Sequence, residues 1–135
     1  MIGQIEIPGE PIPLSRARAG KHGFYDPQCL VKSNIVDYVI KIFGKQKPAT
    51  NPIWMNLTFY MPIPKGTPKK HLPSMPGKPH SKRPDLDNFV KFIFDTFNKV
   101  LWEDDCLIYS LDAVKLYDVE PKTIITFNEW KSSYD

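Results

Sequence analysis

The sequence predicts a small α/β domain of the α+β kind, a mixed β-sheet with two main helices packed on it in the order β-α-β-loop-α-β-β. Three observations carry this. Ile53, Met55, Leu57, Phe59 and Met61 alternate strictly with Trp54, Asn56, Thr58 and Tyr60, the period of a strand with one buried face. Val31, Ile35, Val39, Ile42 and Phe43 recur at helical spacing, as do Leu86, Phe89, Val90, Ile93, Phe94, Phe97 and Val100. The length of 135 residues is that of one ordinary domain, so residues 1–135 read as a single unit.

The elements follow in order. Gln4 to Ile7 alternates polar and apolar and predicts a first or edge strand. Pro8 to Gly23 reads as a loop carrying Arg16, Arg18, Lys21 and His22. Asp26-Pro27 predicts a helix start, with Asp as N-cap and Pro in the first turn, and Gly44 closes that helix. Lys45 to Pro52 is a turn, and Ile53 to Met61 is the clearest strand. Met61 to Pro84 holds seven of the 14 prolines and two glycines, a density that excludes regular structure and predicts a long extended loop. Asp85 to Leu101 is the second helix, with Asp87, Lys91, Asp95 and Asn98 opposite its apolar face. Leu107 to Tyr117 and Thr123 to Phe127 read as two strands joined around Val119-Glu120-Pro121, with a bulge expected near Asp112-Ala113.

Composition narrows the class. No apolar run approaches the ~20 residues that span a bilayer, and Met1-Ile2-Gly3-Gln4 lacks the basic start of a secretory signal. Cys29 and Cys106 have no metal-binding or CxxC spacing and read as reduced, buried or inert thiols. The expectation is a cytoplasmic protein without a membrane partner. The net charge of +3 is unevenly spread. Met61 to Pro84 carries six Lys/Arg and no acid, whereas Asp85 to Asp118 carries eight acids against three lysines. That layout fits a segment gripping a phosphate backbone beside one that holds a cation.

The acids lie in two groups. Asp85 and Asp87 flank the start of the second helix, where each could be an ordinary cap or dipole partner. Lys91 stands four residues after Asp87, so a simple ion pair could account for both. Glu103, Asp104 and Asp105 follow the helix's C-terminal end, where the dipole disfavours anions. Either they lie in solvent, or the chain returns and brings one or two of them to Asp85 and Asp87. In the second case two or three carboxylates hold one or two Mg²⁺ ions, with water completing the coordination. A bound ion activates water and offsets charge on phosphate, with Lys91 adding a cation at the reacting group.

Lys65, Lys69, Lys70, Lys78, Lys82 and Arg83 in the loop, with Arg16, Arg18 and Lys21, are the candidate phosphate contacts. Nothing in the loop resembles a base-reading helix, so shape and backbone recognition is expected. His22, His71 and His80 read as surface residues or phosphate contacts. Phe24, Tyr25 and Trp102 read as core or interface aromatics.

At these residues the chain resembles the RusA family of Holliday junction resolvases, small endodeoxyribonucleases common on phages and prophages. The family carries an Asp-Leu-Asp-Asn core, a lysine three residues later and a downstream Trp-x-Asp-Asp. Here those are Asp85-Leu86-Asp87-Asn88, Lys91 and Trp102-Glu103-Asp104-Asp105, preceded by the typical basic residue and proline, Arg83-Pro84. The Met61–Pro84 loop is the least typical part. The resemblance implies a crossover junction endodeoxyribonuclease of recombination and repair. Such an enzyme is a homodimer that binds four-way DNA junctions by shape and nicks two opposed strands with Mg²⁺, or Mn²⁺ in its place. It implies Asp85, Asp87 and Asp105 as catalytic acids and metal ligands, with Lys91 as catalytic lysine. Asp104 is a further ligand or the residue that orients Asp105. Phe92, off the main core face, is a candidate for the dimer surface. Two readings compete: a non-catalytic nucleic-acid-binding protein of the same fold, and a nuclease for other branched DNA such as forks and flaps.

Overall fold

In the computed structural model, residues 2–132 are described; residue 1 and residues 133–135 lie outside it. The strands are β1 (Ile2–Pro8), β2 (Arg18–Gly20), β3 (Gly23–Tyr25), β4 (Ile53–Pro62), β5 (Ile108–Asp118) and β6 (Lys122–Glu129). The helices are α1 (Cys29–Phe43) and α2 (Leu86–Phe97). Four strands form a mixed sheet in the order β1-β6-β4-β5. β4 and β5 run parallel, while β6 is antiparallel to both β1 and β4. The predicted order of elements is therefore present, with the β2–β3 hairpin added inside what the sequence reads as a loop.

The alternation of β4 does what its period requires. Ile53, Met55, Leu57, Phe59 and Met61 are buried, and they share one core with Phe89, Phe92, Ile93 and Phe97 of α2 and Val39 of α1. Phe59 stacks on Phe89 with ring centroids 5.2 Å apart, late in β4 and early in α2. Trp102 packs on Phe97 and on Phe127, and Phe127 lies opposite Met55, early in β4. Thus α2 runs antiparallel to β4 and β5, with its N-terminal end beside the C-terminal half of those strands.

Local details correct several expectations. The N-cap of α1 is Gln28, and Asp26 instead accepts the Gln28 N–H at 2.8 Å in a side-chain turn. α2 stops at Phe97: Asn98 turns extended and Lys99 adopts φ 68, while Val100 and Leu101 face the core from a turn. The bulge in β5 falls at Tyr109, since Ile53 pairs with Ile108 and Trp54 with Ser110. Cys29 and Cys106 are exposed, not buried. Phe92 is buried in the core, so it offers no dimer surface. No helix among the described residues is long and apolar enough to cross a membrane.

The Pro-rich loop is tethered along part of its length. A single 3₁₀ turn forms at Leu72–Ser74. Further on, the Gly77 and His80 N–H groups donate to Tyr117 and Lys115 carbonyls, and the Tyr117 N–H donates to Lys78. This segment covers part of the open edge of β5, whose unpaired backbone would otherwise be exposed. His80 packs edge-on to Tyr117 at 4.9 Å. Burial and the nearby Lys115 hold His80 below the ordinary histidine range.

Lys32 ties the hairpin to α2. Its ammonium bonds Asp26 at 2.7 Å, just after β3, and also Asp95 on α2. Burial opposes the charge on Lys32, but the two carboxylates outweigh it and raise its pKa. The hydrogen bond from Lys32, aided by the Gln28 N–H, lowers that of Asp26. The Asp26 contribution is complete above its unfolded value of 3.8 and is lost as pH falls through the lower folded value. The Lys32 contribution is complete below 10.5 and is lost only as pH rises through the higher folded value. The clamp is therefore intact across the neutral range. Lys32→Met is expected to destabilise the protein by about 1–2 kcal/mol, discounted because both acids are partly exposed. A lower urea midpoint with unchanged slope is the expected reading; an unchanged midpoint would show that the clamp adds nothing.

Candidate active site at the start of α2

The first turn of α2 presents two carboxylates. Asp85 is the N-cap, in extended conformation, and its side chain makes no capping hydrogen bond. Asp87 lies in the first turn, where the helix dipole favours an anion. Both are exposed. Lys91 reaches Asp87 at 3.4 Å, one helical turn on, with both side chains mostly in solvent. An exposed pair of this kind contributes only ~0.3–0.5 kcal/mol, so stability alone gives little reason for it.

Asp85 owes its place to a contact without a sequence signature. Lys115 of β5 lies opposite Phe59 on the helix-bearing face. Its ammonium donates to the carbonyls of Lys82 at 2.6 Å and Pro84 at 2.7 Å. These two bonds hold the chain around the cis Arg83-Pro84 peptide, immediately before Asp85. Lys115 makes no ion pair among the described residues, so its ammonium is held beside the start of α2 by these carbonyls.

The second acidic group lies past the other end of α2. Trp102, fully buried, donates its indole N–H to Asp105 at 2.7 Å. Asp104 accepts the Cys106 N–H at 3.2 Å and caps a short 3₁₀ turn. Asp105 is thus oriented by Trp102, and one Asp104 oxygen is engaged locally. α2 has 12 residues, about 18 Å of helix, between the two acidic groups. Among the described residues no three His, Cys, Asp or Glu side chains are gathered to share one metal ion.

Asp85 and Asp87 nonetheless suit a hard divalent cation. Both are oxygen donors, Asp85 makes no capping bond, and Asp87 is engaged only by an exposed lysine. Mg²⁺ in particular is commonly held by one or two carboxylates together with water and substrate phosphate.

Lys115 lies beside Asp85, with Lys82 and Arg83 just before it in the chain, and further cations stand on the hairpin and the Pro-rich loop. Arg16, Arg18, Lys21, Lys69, Lys70, Lys78, Lys82 and Arg83 are all exposed. None is ion-paired among the described residues. Lys65 is likewise exposed. Lys82 and Arg83 precede the first acid directly. Sequence reasoning missed Lys115 and Lys32; their partners are backbone carbonyls and distant acids, which leave no local pattern. Of the two readings for Phe24 and Tyr25, the core one is excluded, since they are 82% and 51% exposed.

The family described as endodeoxyribonuclease RusA matches residues 8–128. The chain is also 31% identical to a Bacillus subtilis (strain 168) protein, the uncharacterized protein YqaN, over 90% of this chain and 92% of that protein.

Proposed function

The chain belongs to the endodeoxyribonuclease RusA family, and on that premise we propose that it is a metal-dependent endonuclease that resolves four-way DNA junctions by paired nicks in opposed strands. The observation that carries the proposal is the pair Asp85 and Asp87, exposed at the start of α2 just after Lys82 and Arg83, which have no acid partner among the described residues. In this reading residues 1–135 act as one endonuclease domain, in the cytoplasm, in recombination and repair. A C₂ dimer matches a two-fold symmetric junction by offering one site to each strand to be cut.

Asp85 and Asp87 would hold Mg²⁺ or Mn²⁺; Asp105 and Asp104, past the other end of α2, are kept as further acids of the reaction and not as ligands of that ion. Bound there, the ion supplies activation of water and neutralisation of charge on the scissile phosphate. The chain's own residues do the rest. Lys91, beside Asp87, brings a cation to the non-bridging oxygens as their charge grows. Lys115 fixes the backbone that leads into Asp85, so that carboxylate needs little reordering. Trp102 holds Asp105 in one orientation. The exposed lysines and arginines pair with phosphates and fix the register of the DNA without reading its sequence.

The test is a substrate panel of immobile four-way junction, fork, flap and linear duplex, each with Mg²⁺ or with EDTA. Symmetric nicks in the junction that need the metal are expected, with little cutting of linear duplex. Junction affinity should fall steeply between 50 and 200 mM salt, on the order of a hundredfold or more for several phosphate contacts. Equal cutting of linear duplex would overturn junction selectivity, preferential cutting of forks or flaps would redirect it, and cutting that persists in EDTA would overturn the metal.

A further inference from the structure

The most unusual exposed side chain lies outside the acidic site. Phe24 is 82% exposed on the β2–β3 hairpin, and every residue of that hairpin is exposed. Its cross-strand partner is Ala19, too small to cover the ring. Tyr25, one residue on, lies across from Arg18 and against Gly20. A bare phenylalanine on a surface ribbon costs solubility unless something apolar meets it.

The hairpin is also held firmly at its base, although an isolated two-stranded ribbon is marginal in water. The Leu14 N–H donates to the Asn88 carbonyl at 2.9 Å, in the first turn of α2 and next to Asp87. Gln28 staples the two feet together, accepting from the Ser15 N–H and donating to the Pro13 carbonyl, both at 2.8 Å. The outgoing foot is fixed by Asp26 to Lys32, and through Lys32 to Asp95 of α2. Both feet therefore refer to the helix that carries Asp85 and Asp87. Leu14 is four residues from Arg18, so the hairpin begins within ~14 Å of that first turn.

We propose that this hairpin is a probe for unstacked bases and that Phe24 is its stacking residue. The partner is set by chemistry. A ring that meets no protein surface, flanked by the unpaired cations Arg16, Arg18 and Lys21, matches a ligand with an exposed aromatic face on a polyanionic backbone. Duplex DNA offers no such face along its length. A branch point does once its arms unstack, because base pairs at the opened crossover lose a stacking neighbour. The cations bring the hairpin to the backbone of any DNA, and Phe24 separates branched from continuous duplex. This inference rests on the branched-DNA reading above and names the residue that would confer the preference.

The experiment compares wild type, Phe24→Ala and Phe24→Trp on a four-way junction and a linear duplex, with Ca²⁺ in place of Mg²⁺. The junction carries 2-aminopurine beside the crossover. Phe24 touches no core, so neither substitution endangers the fold. Phe24→Ala should weaken junction affinity on the order of tenfold, keep duplex affinity within about twofold, and abolish the 2-aminopurine fluorescence change. Phe24→Trp should restore both. An Ala variant that keeps its junction preference and the fluorescence change, or one that loses duplex and junction affinity equally, overturns the role of Phe24. A wild type without junction preference overturns the branched-DNA reading instead, so the two failures are distinct.

Discussion

Asp85→Asn and Asp87→Asn are each expected to reduce junction cleavage by a factor on the order of 10³ or more, with the protein still folded and bound to the junction. The size follows from electrostatics. Removing a single contact to charge developing in the transition state typically costs ~10²–10³ in turnover, and losing one of two anionic ligands removes at least that. The separation from stability follows from geometry. Asn caps a helix as well as Asp does, and the Asp85 side chain makes no capping bond to lose. Asp87→Asn gives up an exposed ion pair and a dipole contact, together no more than ~1 kcal/mol. Single-turnover cleavage, gel-shift affinity and urea unfolding on the same preparations separate these effects. A variant that still cuts within tenfold of wild type would remove that residue from the site. One that stops cutting only because it has unfolded would make its role structural.

Trp102→Ala acts through stability. Trp102 is fully buried and packs on Phe94, Phe97 and Phe127, with ring centroids 6.2–6.4 Å away. Truncating a buried tryptophan costs ~3–5 kcal/mol, a large part of the ~5–15 kcal/mol that holds a domain of this size together. The expected result is a large drop in urea midpoint, or loss of soluble protein. Trp102→Phe distinguishes packing from orientation. It keeps most of the ring contacts but removes the N–H that holds Asp105. If Asp105 serves the reaction, Trp102→Phe loses turnover beyond what its smaller loss of stability explains. If turnover survives, Asp105 is held for structural reasons alone.

What the sequence made legible follows the physics of each part. β4 was readable because one buried face imposes a period of two, and its burial alternates along nearly the whole strand. The acidic segment drew attention because like charges at close spacing call for an explanation. The hairpin was not, because three-residue strands around Lys21-His22 show no period and bury nothing. The end of α2 was misplaced for the opposite reason. Val100 and Leu101 continue the apolar count, but they reach the core from a turn that Lys99 forms at positive φ. Phe92 looked peripheral on the main apolar stripe, yet it lies on the side of α2 toward α1, within reach of Lys32. Lys115 was invisible because its partners are two carbonyls more than thirty residues away in sequence. The same limit applies to the acids. Their spacing suggested a shared site, whereas the fold sets Asp85 and Asp105 beyond opposite ends of one helix.

The central claim is that the ion for this chemistry sits at the start of α2. It is tested most directly by replacing Mg²⁺ with Fe²⁺ and ascorbate, so that hydroxyl radicals cut the polypeptide beside the bound ion, and mapping the fragments by mass spectrometry. The account predicts cuts within a few residues of Asp85 and Asp87 that Mg²⁺ suppresses and Asp85→Asn abolishes. Cuts confined to other parts of the chain, unchanged in Asp85→Asn, would contradict it.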